Sequence, residues 1–167
     1  MKKQALRVIA LLSLFLTLAM APAHAQDRAG AKRKVGKCVP VGGTISTNFI
    51  SEDTTLGTVT GDLRGAVSAM LLSSSPPDEN GKLIAQIQHR AWVTEAGDIL
   101  RLAQATLELI PTEDEGIYYA AYKPPITIAG GTGRFEHATG TLYVNGSIDF
   151  NRGELVLRYR GEICAGK

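Results

Sequence analysis

Apolar and polar side chains alternate along most of the chain after residue 38, and this spacing of two residues is typical of β-strands. The pattern is clearest in residues 154–163, where one face carries four apolar side chains: Leu155, Leu157, Tyr159 and Ile163. Residues 140–150 alternate in the same way, and the alternation continues through Asn145-Gly146. We therefore predict that Gly146 is an in-strand glycine or bulge, although Asn-Gly is also a common hairpin turn.

Residues 39–43 could form one additional strand. Five further segments alternate in the same manner: residues 44–50, 58–72, 83–93, 99–109 and 117–128. Beyond the first 25 residues, no stretch of ten or more residues has helical periodicity. Roughly seven strands at hairpin spacing indicate an antiparallel barrel or sandwich.

The first 25 residues have the three parts of a cleavable secretory signal. A basic start precedes an apolar run at residues 8–20, and Ala23-His24-Ala25 supplies a cleavage site with small residues. The run is shorter than the roughly 20 residues of a membrane span, which disfavours the alternative of an anchor. We predict a periplasmic or secreted protein that has no integral membrane segment after cleavage.

The chain has two cysteines, Cys38 and Cys164, near the two ends of the predicted strand region. In an exported protein they are expected to form a disulfide, with two separate thiols as the alternative. A disulfide that closes so long a loop would stabilise the fold by about 4 to 5 kcal/mol in the chain-entropy model. Because it would tie the first strand to the last, we predict an all-β fold in the form of a closed antiparallel β-barrel of about eight strands.

Removal of the signal takes away three of the 18 basic residues, so that the 16 acidic residues outnumber the remainder. Five basic residues lie in residues 26–37, a stretch without hydrophobic periodicity: Arg28, Lys32, Arg33, Lys34 and Lys37. We predict a flexible basic arm there, with contact to an anionic partner as the alternative, followed by one barrel domain at residues 38–167. The acidic excess of that domain argues against nucleic-acid binding.

Residues 126–142, ITIAGGTGRFEHATGTL, contain a glycine cluster that raises the question of a phosphate-binding loop. A dinucleotide loop needs a third glycine and a following helix, and a P-loop needs Gly-Lys-Ser/Thr. Neither pattern is complete here, so we predict a structural corner in which Phe135 plugs the end of an apolar barrel. No cofactor and no metal site are predicted, because two cysteines without a histidine cluster do not form a zinc site.

His89 and Arg101 share the apolar parity of their segments and are predicted to point into the barrel. They could be ordinary polar residues with partners at the barrel rim, or an acid/base group and an anion clamp for a ligand that carries a carboxylate. The other candidate ligand-binding residues also lie on apolar faces, where the glycines would leave room for a ligand: Gly61, Gly65, Gly146 and Tyr159. The catalytic residues, if there are any, remain unknown.

Four large apolar side chains fall on the nominally outer faces of their segments: Ile84, Trp92, Leu100 and Leu102. Exposed apolar patches usually mark interfaces between proteins. We therefore predict a homo-oligomer that assembles through residues 83–93 and 100–110. Cover by the basic arm or by a loop is the alternative.

The stretch ITIAGGTGRFEHATGTL, with its continuation to LRYRGEIC, resembles the carboxyl-terminal signature of the allene oxide cyclase barrel and dirigent-like superfamily. GTVTGDLRGAVSAMLLS and AWVTEAGD are similar to parts of its uncharacterised secreted bacterial members. The resemblance implies an eight-stranded barrel with an apolar cavity, often assembled as dimers or trimers. Relatives hold reactive apolar intermediates in that cavity and steer their cyclisation or coupling. None of the catalytic motifs of the plant cyclases matches this sequence.

Two classes of function follow from the sequence. The first is an exported barrel that binds a small apolar or amphipathic molecule in its cavity, without established catalysis. The second is a cyclase or isomerase of the allene oxide cyclase type that acts on an apolar reactive intermediate. A cavity with strongly perturbed titratable groups would favour the enzyme, whereas a filled interior would favour a structural role.

Overall fold

Ten β-strands make up the structure, a computed structural model that describes residues 36–166. In chain order the strands are β1 (Cys38–Phe49), β2 (Thr54–Val59), β3 (Gly65–Ser74), β4 (Leu83–Thr94), β5 (Leu100–Leu102), β6 (Ala105–Pro111), β7 (Ile117–Tyr122), β8 (Ile126–Gly131), β9 (Thr139–Asp149) and β10 (Glu154–Cys164). Within these residues, no helix has the length and apolar character needed to cross a membrane. The predicted signal peptide and the basic arm up to residue 35 lie outside the described residues.

Eight strands close into a barrel in the order β10-β1-β2-β3-β4-β6-β7-β9, and β9 pairs with β10 to complete the ring. The short strands β5 and β8 lie outside this ring, where β5 pairs with β8 and β8 pairs with the amino-terminal part of β9. The predicted closed antiparallel barrel is therefore confirmed. Gly146 lies inside β9 opposite Leu157, so the interpretation of this residue as an in-strand glycine is confirmed as well.

The first and last strands are neighbours in the barrel wall. They pair antiparallel over their whole lengths, from Cys38 opposite Cys164 to Asn48 opposite Glu154. Cys38 and Cys164 form a disulfide, as predicted. The disulfide therefore holds together two strand ends that backbone hydrogen bonding already places side by side.

The loops between the strands define two ends of the barrel. The loops at residues 50–53, 75–82, 112–116 and 150–153 lie at one end, which we call the open end. The opposite end, which we call the closed end, carries the disulfide together with the turns at residues 60–64 and 132–138. In an antiparallel barrel, alternate connections fall at the same end, so these loops converge although they are far apart in the sequence.

Aromatic side chains fill the closed end. The indole nitrogen of Trp92 donates a hydrogen bond to the Leu63 carbonyl at 2.9 Å, and the Trp92 ring packs edge-on against Tyr159. The Tyr159 hydroxyl donates to the Thr60 carbonyl at 2.9 Å and accepts from the Leu63 amide at 3.0 Å. These bonds satisfy the polar atoms of both aromatic residues, so the rings can be buried without an unpaired donor.

A β-bulge in β4 changes which side chains face the interior. Ser68 of β3 lies opposite Ala91, but Ala69 lies opposite His89, so Arg90 is an extra residue without a partner. An extra residue in one strand reverses the alternation of the side chains that follow it. Trp92 is consequently buried rather than on the outer face, where simple alternation had placed it.

A break between β5 and β6 corrects two further predictions. Residues 103–104 lie outside both strands, and the buried positions change from Leu100 and Leu102 before the break to Leu107 and Leu109 after it. Arg101 is therefore exposed on the outer face, and the prediction that it points into the barrel is wrong. Trp92, Leu100 and Leu102 are buried and Ile84 is half-buried, so these residues do not form the exposed apolar patch that was predicted, and self-association itself stays a prediction.

The glycine-rich segment forms a structural corner. It contains a 3₁₀ helix at Gly133–Phe135, and the Phe135 side chain is buried at the closed end. Its backbone groups bond within the fold, as in the Thr132 amide donating to the Ile99 carbonyl at 2.8 Å. The Asp98 carboxylate lies against Gly133 and pairs with Arg134 at 3.4 Å. The space beside Gly133 is thus occupied by Asp98 and its ion pair with Arg134, which supports the structural interpretation of the loop.

Candidate functional site

A cavity of about 200 Å³ lies inside the barrel at the open end. Its wall is mostly apolar and is contributed by strands from all around the barrel, including Leu71, Ile87, Leu107, Ile148 and Leu155. A smaller space of about 40 Å³ adjoins it on the side of the closed end and shares Thr55, Ala69, Tyr122 and Leu155 with it. The closed end is filled by Trp92 and Tyr159, so the free volume of the interior is concentrated towards the open end.

The mouth of the cavity combines aromatic and acidic side chains. The Phe49 and Phe150 rings stack at 5.8 Å between centroids, and Tyr118 packs edge-on against Phe150. Glu52 and Asp53, from the loop between β1 and β2, also line the cavity. Hydrogen bonds from the Ser51 hydroxyl at 2.7 Å and the Thr54 hydroxyl at 2.8 Å lower the pKa of Asp53 and keep it ionised.

His89 lines the smaller space that adjoins the cavity, as the last inward-facing residue before the β4 bulge. Its Nδ1 atom lies 3.2 Å from the Ala103 carbonyl oxygen. Because a carbonyl only accepts hydrogen bonds, Nδ1 carries the proton in the neutral ring and Nε2 is left as an acceptor. Burial lowers the pKa of His89, partly offset by the bond to Ala103, so the ring is neutral at pH 7.

Tyr122 lines both the cavity and the smaller space and adds a second polar group. Its ring centroid lies 5.5 Å from that of His89, and its hydroxyl bonds to no residue in the part of the chain that the structure describes. Burial strongly raises the pKa of Tyr122, so the hydroxyl keeps its proton. The cavity and the smaller space together thus offer one acceptor, His89 Nε2, and one donor, the Tyr122 hydroxyl, on an apolar wall.

The other candidate residues from the sequence do not line the cavity. Gly61, Gly65 and Gly146 lie where a neighbouring strand comes so close that a Cβ atom would overlap its backbone carbonyl. Tyr159 faces inward, but at the closed end, where its hydroxyl is fully bonded. The glycines therefore permit close strand approach and do not enlarge the cavity.

Tyr122, Glu52 and Asp53 were missed as site residues by the sequence reasoning. Tyr122 is the last residue of β7, directly before the irregular segment 123–125, and both Ala120 and Ala121 are buried. Alternation therefore gives no clear face for Tyr122. Glu52 and Asp53 lie in a turn, where carboxylates are usually solvated, and only the closure of the barrel brings them to the mouth.

Two larger hollows lie on the outside of the barrel. One of about 600 Å³ is bordered by Tyr143, Arg158 and Arg160, and one of about 380 Å³ by Lys37 and Arg134. Both are wide and mainly exposed to solvent, whereas ligand sites are usually concave, apolar and enclosed. Within the described residues, no group of three or more His, Cys, Asp or Glu side chains is arranged to hold a metal ion. The internal cavity is therefore the candidate site.

Acid is expected to destabilise the fold through His89. Its pKa is lowered on folding, so the unfolded chain binds the proton more readily and stability falls as the pH drops below about 6.5. The loss continues down to the lowered pKa of the folded state. The urea concentration at the midpoint of unfolding should therefore decrease between pH 8 and pH 5. His89→Gln should remove most of this dependence on pH. His137→Gln, at an exposed histidine, is the control; equal slopes in the wild type and His89→Gln would contradict the assignment.

Neither a protein-family model nor a curated protein sequence matches the chain. Two solved dirigent structures resemble it. One pterocarpan synthase dirigent protein is 14% identical, covers 80% of this chain and 99% of its own, and has a TM-score of 0.38. A second is 16% identical, covers 78% of this chain and 92% of its own, and has a TM-score of 0.32. Values this low give no information about the ligand, and the link to the bacterial branch stays a prediction.

Proposed function

We propose that the chain is an exported β-barrel protein that binds a small apolar or amphipathic molecule in the cavity at the open end. The observation that carries this proposal is an apolar cavity lined by Tyr122, which adjoins a smaller space lined by both Tyr122 and His89, whose Nε2 atom is left as an acceptor. Among the described residues, no fully buried side-chain nitrogen or oxygen lacks a hydrogen-bond partner, so these two groups are bonding positions open to water or a ligand and not unpaired buried atoms. A ligand with one polar group could bond to either of them.

The size and wall of the cavity set the kind of ligand. Its volume of about 200 Å³ is below the roughly 300 to 1,000 Å³ of drug-sized pockets, so the molecule is small. Binding would be driven by removal of apolar ligand surface from water, at about 25 cal/mol per Å². The two polar groups would then fix the orientation of the ligand, at about 0.5 to 1.5 kcal/mol for each hydrogen bond.

Export is supported by the disulfide, because disulfides persist mainly in oxidising compartments outside the cytoplasm. The secretory signal that would direct export is predicted from residues 1–25, which lie outside the described residues. Periplasmic or extracellular location is therefore part of the proposal.

A cyclase or isomerase is the second candidate function. His89 and Tyr122 place a neutral base and a protonated acid beside each other at the inner side of the cavity, an arrangement that can move a proton within a bound molecule. A catalytic role would require that the protein forms a product from its ligand. Tyr122→Phe should then abolish product formation while ligand binding persists. Binding alone accounts for the same geometry and is the simpler proposal.

Filling the cavity is expected to weaken ligand binding strongly. Ala69 lines both parts of the cavity, and Ala69→Phe should weaken the binding of 1-octanol at least about tenfold, because the added ring occupies the apolar space. Isothermal titration calorimetry on the oxidised protein measures this. Ala66→Phe is the matched control, since it makes the same change on the exposed face of the same strand.

A second variant keeps this test decisive if Ala69→Phe disturbs folding. Tyr122→Phe removes only the hydroxyl and should weaken octanol binding by about two- to tenfold, the value of one hydrogen bond. The proposal fails if octanol does not bind the wild type, or if it binds both cavity variants as tightly as the wild type.

A further inference from the structure

The loops at the open end are strongly acidic. Seven carboxylates lie in them: Glu52, Asp53, Asp78, Glu79, Glu113, Asp114 and Glu115. The basic residues in these loops are Lys82 and Arg152, and each has a carboxylate nearby. Lys82 Nζ lies 3.2 Å from Glu108, and Arg152 Nε lies 3.5 Å from Glu154. The mouth of the cavity is therefore surrounded by an excess of negative charge.

The lining of the cavity is also acidic. Glu52 and Asp53 belong to its lining, and no lysine or arginine of the described residues does. Arg90 lies on the outer wall, where its guanidinium contacts Met70 Sδ at 2.8 Å. Besides the hydrogen bonds from neighbouring hydroxyls, the Arg90 charge contributes to the lowered pKa of Asp53 and offsets part of the negative charge at the mouth. Deeper inside, His89 is neutral and Tyr122 is protonated, because burial disfavours the charged form of each and so shifts the pKa of each. Within residues 36–166, no positively charged side chain therefore lines the cavity to stabilise an acidic ligand.

This arrangement counts against the acidic ligand that the sequence suggested. That ligand required Arg101 as an anion clamp, and Arg101 lies on the outer face of β5. An acidic molecule entering at the open end would instead meet Glu52 and Asp53, and like charges at short distance repel each other. A positively charged group would be attracted at the same position.

We propose that the ligand is a cationic amphiphile, a small molecule whose apolar part enters the cavity while its ammonium group stays at the mouth beside Glu52 and Asp53. The inference rests on the proposed function, because it requires that the cavity binds a ligand at all. The ammonium group remains hydrated at the mouth, so it avoids the large cost of burying a charge. The surrounding carboxylates add a field that attracts cations and weakens with added salt.

Three ligands with the same eight-carbon chain separate the contribution of charge from that of apolar burial. We expect octylamine, in its ammonium form at pH 7, to bind about three- to tenfold more tightly than 1-octanol, and octanoate to bind more weakly than either. Calorimetric titration of the oxidised full-length protein at low salt gives the three affinities. Raising the salt concentration should bring the affinity of octylamine towards that of 1-octanol.

Charge-neutral variants test whether the mouth carboxylates cause the preference. Glu52→Gln with Asp53→Asn should lower octylamine affinity to that of 1-octanol and leave 1-octanol binding unchanged. Asp53 also bonds to Ser51 and Thr54, so Glu52→Gln alone, with part of the effect, covers the case in which the double variant is unstable. Glu95→Gln with Glu136→Gln removes two charges at exposed positions of the closed end and should leave the preference intact.

The outcomes separate the two proposals. If 1-octanol does not bind, the proposed function itself fails. If 1-octanol binds but octanoate binds as tightly as octylamine or more tightly, the cavity is a ligand site and the inference of a cationic ligand is overturned. A preference for octylamine that survives neutralisation of Glu52 and Asp53 would also overturn it, because the mouth carboxylates would then not be its source.

Discussion

Removal of the Cys38–Cys164 disulfide is expected to lower the free energy of unfolding by about 4 to 5 kcal/mol. The two cysteines are 126 positions apart in the sequence, so the disulfide closes a loop that contains nearly the whole described chain. Such a link reduces the conformational entropy of the unfolded chain, and the reduction grows with loop length. In the folded barrel, β1 and β10 are already paired at this point, so the link adds little new order there.

Urea denaturation followed by circular dichroism measures this effect in the double variant Cys38→Ala, Cys164→Ala. The reduced wild-type protein is the control and should unfold at nearly the same urea concentration as the variant. A stability difference below about 1 kcal/mol would contradict the chain-entropy account. Intact mass and nonreducing peptide mapping of the exported protein give a direct check, with a mature chain that begins at Gln26 and no free thiols as the expected result.

Trp92→Ala is expected to destabilise the barrel by about 3 to 5 kcal/mol, the usual cost of deleting a large buried aromatic side chain. Trp92 is 2% exposed, donates a hydrogen bond to the Leu63 carbonyl and packs against Tyr159. Its loss would leave a cavity at the closed end and an unpaired carbonyl. An outer-face Trp92, as strand alternation alone predicts, would give a change of at most about 0.5 kcal/mol, so the experiment distinguishes the two placements.

The unfolding of this variant must be followed by circular dichroism, because Trp92 is the one tryptophan of the chain and its fluorescence is lost with it. Trp92→Phe is the matched control. It keeps an aromatic ring in the core but removes the indole donor, and it should cost less than Trp92→Ala. Equal, small effects of both substitutions would show that the closed end is not packed as described.

Strand alternation predicted the barrel because it is a local property of the β-backbone. Successive side chains point to opposite faces wherever the strand is regular, as in β9 and β10, and no knowledge of the partner strand is needed. The disulfide was predictable for a similar reason, since it follows from the chemistry of an exported chain and from the position of two cysteines. These predictions needed no tertiary information.

The faces of Arg101 and Trp92 could not be predicted in this way. The bulge at Arg90 exists because β3 and β4 pair with a shift of one residue, and that shift depends on both strands. The break at residues 103–104 separates β5, which pairs with β8, from β6, which pairs with β4 and β7. Each irregularity reverses the alternation for every residue that follows it until the strand ends.

The sequence by itself determined that this protein is an antiparallel barrel with an apolar interior, tied by a disulfide between its first and last strands. Only the tertiary structure decided where the interior is filled and where it is empty. Trp92 and Tyr159 fill the closed end because the bulge turns Trp92 inward, and this leaves the cavity at the open end with Tyr122 in its wall and His89 in the smaller space beside it. The acidic residues around its mouth are separate in the sequence and meet because alternate hairpins of an antiparallel barrel lie at the same end.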